Sequence, residues 1–180
     1  MHPRIRELFD YLDQQRGLLR AAFDAVPPLL RDRAQAPGRW SPAGVIEHIA
    51  MVEERVAGRL SARIAEARAD GLGPETNAAP VLPTLNIAHL LDRTTRLTAP
   101  EAAQPTGLGA DAAWAALEHA GHAVRETLEA NDGLALGTVS LAHPRFGLMP
   151  LYYFFAFVGA HEARHAAQIR EIAAALSRQT

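Results

Sequence analysis

From residue 151 onward, positions three and four apart form one stripe: Leu151, Phe154, Val158, His161, His165, Gln168, Ile172 and Leu176. Side chains at that spacing share a face only in an α-helix. A helix with one such stripe must bury it against other layers, so this segment alone demands packed partners. It also sets a chemical puzzle, because its middle third is polar while its direction is unchanged.

Three other segments can supply the partners. Residues 3–26 place Ile5, Leu8, Leu12, Leu19, Phe23 and Val26 on one side and stop at Pro27 and Pro28, where a helix cannot continue. The second opens at "WSPAG", with Ser41 suited to an N-cap and Pro42 to the first helical position. It carries Val45, Ile49, Val52, Val56, Leu60 and Ile64 to "DGLG", where Gly71 can take the left-handed stop. Residues 111–131 hold Trp114, Leu117, Gly121, Val124 and Leu128 in register. Between the second and third segments, residues 72–109 are rich in Pro, Gly, Ala and Thr and read as a crossover loop with a short helix at residues 84–95. "LALGTVSLAHPRFGLMP" reads as a second irregular connection, after which Pro150 can open the last helix. No repeat, low-complexity tract or strand-rich region interrupts this pattern. The expectation is an all-α, single-domain four-helix bundle over residues 1–180, with its long crossover between helices two and three.

Composition removes several chemistries. The chain has no cysteine, and all 18 of its Lys-plus-Arg residues are arginine. Thiolate ligands, thiol nucleophiles, lysine bases and Schiff-base anchoring of pyridoxal phosphate are therefore excluded. Net charge is -2 with a pI near 6.4, without the basic excess of a nucleic-acid binder. The N-terminal stretch lacks the apolar core of a secretory leader, and the apolar run at residues 148–160 is too short to span a bilayer. A cytoplasmic protein acting on a small molecule, with no nucleic-acid or membrane partner, is expected.

Histidine, carboxylate, tyrosine and hydroxyl groups remain for chemistry. His161 and His165 sit where the helical pattern asks for core residues, and at i and i+4 their rings can converge on one ion. His48, between Val45 and Val52 on the second helix, is the best third ligand, whereas Glu47 and Glu54 should point further toward solvent. Imidazoles bonded to carbonyls or water are the competing reading. Gln168 can orient a ligand or bond a ring from behind, and Tyr152 or Tyr153 can reach the same cavity or simply pack. His119 and His122 fall off their helix stripe, His2 is terminal, and His89 and His143 lie in connections, with His143 a candidate for the pocket mouth.

Residues 161–165 also spell H-E-x-x-H, in which Glu162 would be the general base of a zinc protease. The surroundings do not support it: "AAQIREIAAAL" continues as helix where one zincin group needs a turn, and only 15 residues follow His165. Glu162 is expected instead to be an exposed helix residue.

"WSPAGVIEHIAMVEERV", followed by "HPRFGLMPLYYFFAFVGAHEARHAAQI", resembles the DinB-like (damage-inducible) superfamily, itself similar to the YfiT-type metal-dependent hydrolases. The resemblance covers essentially the whole chain. It rests on Trp-Ser-Pro leading to one histidine and on H-x-x-x-H-x-x-Q. It implies an up-down-down-up bundle, often a homodimer, with one divalent ion on His48, His161 and His165. Some relatives use low-molecular-weight thiols such as bacillithiol or mycothiol for S-transfer or maleylpyruvate isomerisation, and others have no assigned activity. Zinc, nickel, iron or copper would suit three imidazoles. An exogenous thiol would supply the sulfur this chain lacks, and a non-catalytic metal-binding bundle with a stress-response role is the alternative.

Overall fold

The computed structural model describes residues 1–94 and 98–179 and is mostly helical, with one small two-stranded sheet. Four long helices carry the architecture: α1 (Pro3–Asp24), α2 (Pro42–Ala69), α4 (Ala110–Glu129) and α5 (Leu151–Ser177). A one-turn helix α3 (Ala88–Leu91) lies in the crossover, and β1 (Ser140–His143) and β2 (Gly147–Pro150) precede α5.

The helix boundaries follow local chemistry. His2 caps α1 through its ring nitrogen and Pro3 takes the first position. At α2 the Ser41 hydroxyl accepts from the Gly44 amide at 3.0 Å, directly ahead of Pro42. Gly71, at φ 88°, ends that helix in the left-handed conformation that the sequence anticipated.

Contacts along the helices fix their relative directions. Tyr11 abuts Gly159 and Arg16 reaches Glu162, so α1 and α5 run parallel. Gly44 packs near Pro105 at the entry to α4, and Arg68 bonds Asn131 just past its end, so α2 and α4 also run parallel. His48 meets His161 and His165 while Arg59 lies over Phe154, which makes α2 antiparallel to α5. The crossover starts against the far end of α4, with the Glu75 amide donating to Gly133 at 2.7 Å, and returns to the head of α4 at Gly109.

The apolar core falls into two clusters. One gathers Ile5, Leu8, Leu60, Ile64, Leu128 and Phe154; the other gathers Leu19, Phe23, Ile46, Ile49, Leu117 and Ile169. Between them lies a polar waist of Arg16, Glu53, Glu162, His161 and His165.

Two connections differ from the sequence expectation. Only Ala88–Leu91 and a 3-10 turn at Leu82–Thr84 appear where a helix over residues 84–95 is expected, and Thr95 lies outside the described residues. The connection before α5 is a hairpin pairing Leu141 with Met149 and His143 with Gly147. Pro144 and Gly147 mark its turn, and Gly147 sits at φ 74°.

Candidate metal centre

The centre is built by the N-terminal half of α2 and the middle of α5. Residues 42–50 of α2 are all buried, because the helix enters beneath the crossover, and His48 is 5% exposed. On α5 the apolar stripe carries His161 and His165 into the same layer. One ligand atom from each of His48, His161 and His165 lies within 4.8 Å of the others. The fold thus brings together the three residues that the sequence singles out.

The ring tautomers follow from fixed neighbours. A backbone carbonyl only accepts, so at 2.7 Å from the Ala103 carbonyl His48 carries its proton on Nδ1 and bares Nε2. His165 Nδ1 likewise donates to Gln168 Oε1 at 2.8 Å, which leaves its Nε2 as a lone pair. Gln168 therefore acts from behind a ring. The Nε2 of His161 faces that of His165 at 3.1 Å, and its Nδ1 is buried without a partner.

Each ring is held neutral. Burial, followed by His165, His48 and Arg164, depresses His161 well below the usual histidine value. Burial and then His48 bring His165 down to about 3, with smaller contributions from Arg164 and Arg93. For His48 burial outweighs the opposing bond to Ala103. Neutral imidazoles are the form that binds a divalent cation. Trp40, 4.8 Å from the His48 ring, and Phe157, 5.5 Å from that of His161, wall the layer. Among the described residues the cluster contains no carboxylate.

The other candidates are placed elsewhere. The Tyr152 hydroxyl donates to Glu75 at 3.0 Å, its ring packed in the cluster of Ile5, Leu8 and Phe154, and is not brought to the histidines. Tyr153 donates to the Asn86 carbonyl at 2.7 Å. His119, His122 and His89 are exposed, and Glu54 is exposed as expected. His143 is half-buried and connects to the centre through Phe157, 5.2 Å from its ring.

Two carboxylates overturn their expected exposure. Glu47 is 2% exposed and accepts from the Thr106 amide and hydroxyl, both at 2.7 Å, and from the amides of Gly107 and Leu108 at 3.1 and 3.0 Å. Burial raises its pKa, but these donors outweigh it and hold the carboxyl below its ordinary value. Glu162 is 1% exposed and accepts from Arg16 Nε and Nη2 at 3.1 and 2.8 Å. Its Oε1 is therefore committed to α1, which is the wrong partner for the base of an H-E-x-x-H protease.

Glu53, fully buried, shares Arg16 Nη2 at 2.8 Å. One guanidinium thus faces two buried carboxylates, and Glu53 Oε1 and Glu162 Oε2 have no donor. Burial, then Glu162, pushes Glu53 well above the usual carboxyl range against the pull of Arg16. Burial opposes the charge on Arg16, but the two carboxylates hold its pKa above its ordinary value. The sequence did contain one hint of this group. Gly121 sits in the α4 core stripe because a Cβ there would lie 2.7 Å from Arg16 Nη2.

Comparison with curated proteins and with solved structures yields no match. A family model described as the DinB superfamily matches residues 11–169, a span that includes all three histidines, the whole of α2 and most of α5. With the match extending over most of the sequence, the chain belongs to the DinB superfamily.

Proposed function

We propose that this protein is a metal-dependent enzyme in which His48, His161 and His165 hold one divalent ion, zinc, nickel or iron, with a coordination position left open. The four long helices then serve as an up-down-down-up bundle that presents the centre, in a single domain that works as a homodimer. The observation that carries the reading is the donor set: three neutral rings converge, two with Nε2 bared by the Ala103 carbonyl and Gln168, and no carboxylate joins them among the described residues. A divalent ion bound by three imidazoles lowers the pKa of bound water or activates an exogenous thiolate. The protein's own part is to hold the rings neutral, fix two tautomers and exclude water with Trp40 and Phe157. Because the chain has no cysteine, S-transfer to a small electrophile requires an exogenous low-molecular-weight thiol, and hydrolysis of a small molecule is the other outcome of the same centre.

Elemental analysis of the purified protein, beside a His48→Ala/His161→Ala/His165→Ala variant, tests the first half. One equivalent of metal in the parent and none in the variant is expected; equal content in both refutes the centre. A cobalt-substituted sample tests the second half. Spectral shifts on adding thiol support an exchangeable position, and an inert spectrum supports a non-catalytic ion that only fastens α2 to α5.

A further inference from the structure

A divalent ion among three neutral imidazoles carries two positive charges that its ligands do not offset, in a layer walled by Trp40 and Phe157. Partly buried charge of that kind requires an anion nearby. The carboxylates beside the ligands in sequence are already engaged: Glu47 with the amides of residues 106–108, and Glu162 with Arg16.

The α5 side of the layer is cationic instead. Arg164 lies three residues after His161 and so on a neighbouring face of the same helix. Its guanidinium reaches the carbonyls of Leu90 and Asp92, and Arg93 Nη1 donates to the Arg164 carbonyl at 2.7 Å. Arg145 sits in the turn of the hairpin, and Arg59 reaches the Ala142 carbonyl of that hairpin. The His143 ring, in the same hairpin, leads to His161 through Phe157, at 5.2 and 5.5 Å. Among the described residues two carboxylates face this group: Glu171 is paired with Arg93, and Asp92 accepts from the Thr94 amide. Among the described residues the guanidinium groups of Arg59, Arg93, Arg145 and Arg164 outnumber them.

We propose that the ligand entering the open position carries a carboxylate beyond its donor atom, and that Arg93, Arg145 and Arg164 select it by that charge. The proposal rests on the three-histidine metal centre argued above. The donor atom, thiolate or carboxylate oxygen, meets the ion, and the second charge meets the arginine rim; guanidinium is the side chain whose planar fork fits a carboxylate.

The test uses the cobalt-loaded full chain and two isosteric ligand pairs, 3-mercaptopropionate against 3-mercaptopropionamide and succinate against succinamate, titrated by absorption spectroscopy. The charged member of a binding pair should bind about tenfold more tightly, a preference that shrinks as salt screens the rim. Arg145→Gln, in an exposed turn, should reduce the preference, and Arg164→Gln should reduce it further while cobalt remains bound. Equal affinities within each pair overturn the proposal and leave the metal centre standing, as does cobalt binding with no response to any of the four ligands. Failure to bind cobalt removes the centre and the proposal together.

Discussion

The Nε2 atoms of His161 and His165 stand 3.1 Å apart, one turn of α5 from each other, and they are not equivalent. His165 is locked by Gln168 with its proton on Nδ1, whereas His161 has a buried, unpartnered Nδ1.

Gln168 is therefore expected to govern affinity without touching the ion. In a Gln168→Leu variant His165 loses the acceptor that fixes its tautomer. Partners of this kind typically cost 10- to 100-fold in metal affinity, about 1.4 to 2.7 kcal/mol, when removed. Competition with a chromophoric chelator should show that loss, while the helical circular dichroism signal stays unchanged. An unaltered affinity would mean that Gln168 merely fills space.

Glu47 should act on the same centre through the crossover. Its carboxylate gathers the amides of residues 106–108, and Ala103, whose carbonyl orients His48, lies just upstream. Bonds to a charged acceptor contribute about 1.5 to 3 kcal/mol each and are not additive, so Glu47→Ala should destabilise the fold by at least about 2 kcal/mol. Hydrogen exchange should quicken at the amides of Thr106, Gly107 and Leu108, and metal affinity should fall in parallel. Glu47→Gln, which keeps an acceptor oxygen without the charge, should lie between.

Arg16 is expected to be structural. Replacing it with Met removes the single cation between Glu53 and Glu162, and breaking a buried pair from one side costs about 3 to 5 kcal/mol. Chemical denaturation would register the loss. Glu162→Gln should retain metal, because its Oε1 is directed at α1 and not at the ion; a peptidase activity of the parent that a folded, metal-loaded Glu162→Gln protein lacks would restore the H-E-x-x-H reading.

The unequal legibility of these residues has a physical cause. The long helices could be read because apolar spacing is a local property, and Ser41, Pro42 and Gly71 punctuate α2 in the expected way. The histidines could be read because each sits at or beside a stripe whose neighbours are apolar. Glu47, Glu53 and Glu162 could not. A carboxylate on a helix is ordinarily exposed, and what buries these three lies far along the chain: Arg16 is 146 positions from Glu162, and Thr106 is 59 from Glu47. The hairpin was hidden for a different reason. Its strands are four residues each, too short for alternation to stand out, although Pro144 and Gly147 did mark the turn.

Glu53 carries the clearest pH dependence. Its folded pKa is raised above 4.5 by burial first and by Glu162 second, so the folded chain keeps a proton that the unfolded chain releases. A carboxylic acid on Glu53 directed at Glu162 also gives a partner to the two oxygens that otherwise lack one. Stability from this group is fully present below about pH 4.5 and is lost as pH rises toward the folded value, by about 1.4 kcal/mol per pH unit. Glu53→Gln puts an uncharged, hydrogen-bonding amide in the same space and removes that proton from the balance. Urea denaturation from pH 5 to pH 8 should show the variant gaining on the parent as pH increases, with the two closest at the acid end. Parallel curves would mean that Glu53 is ionised in the folded protein, with Arg16 alone offsetting two buried negative charges.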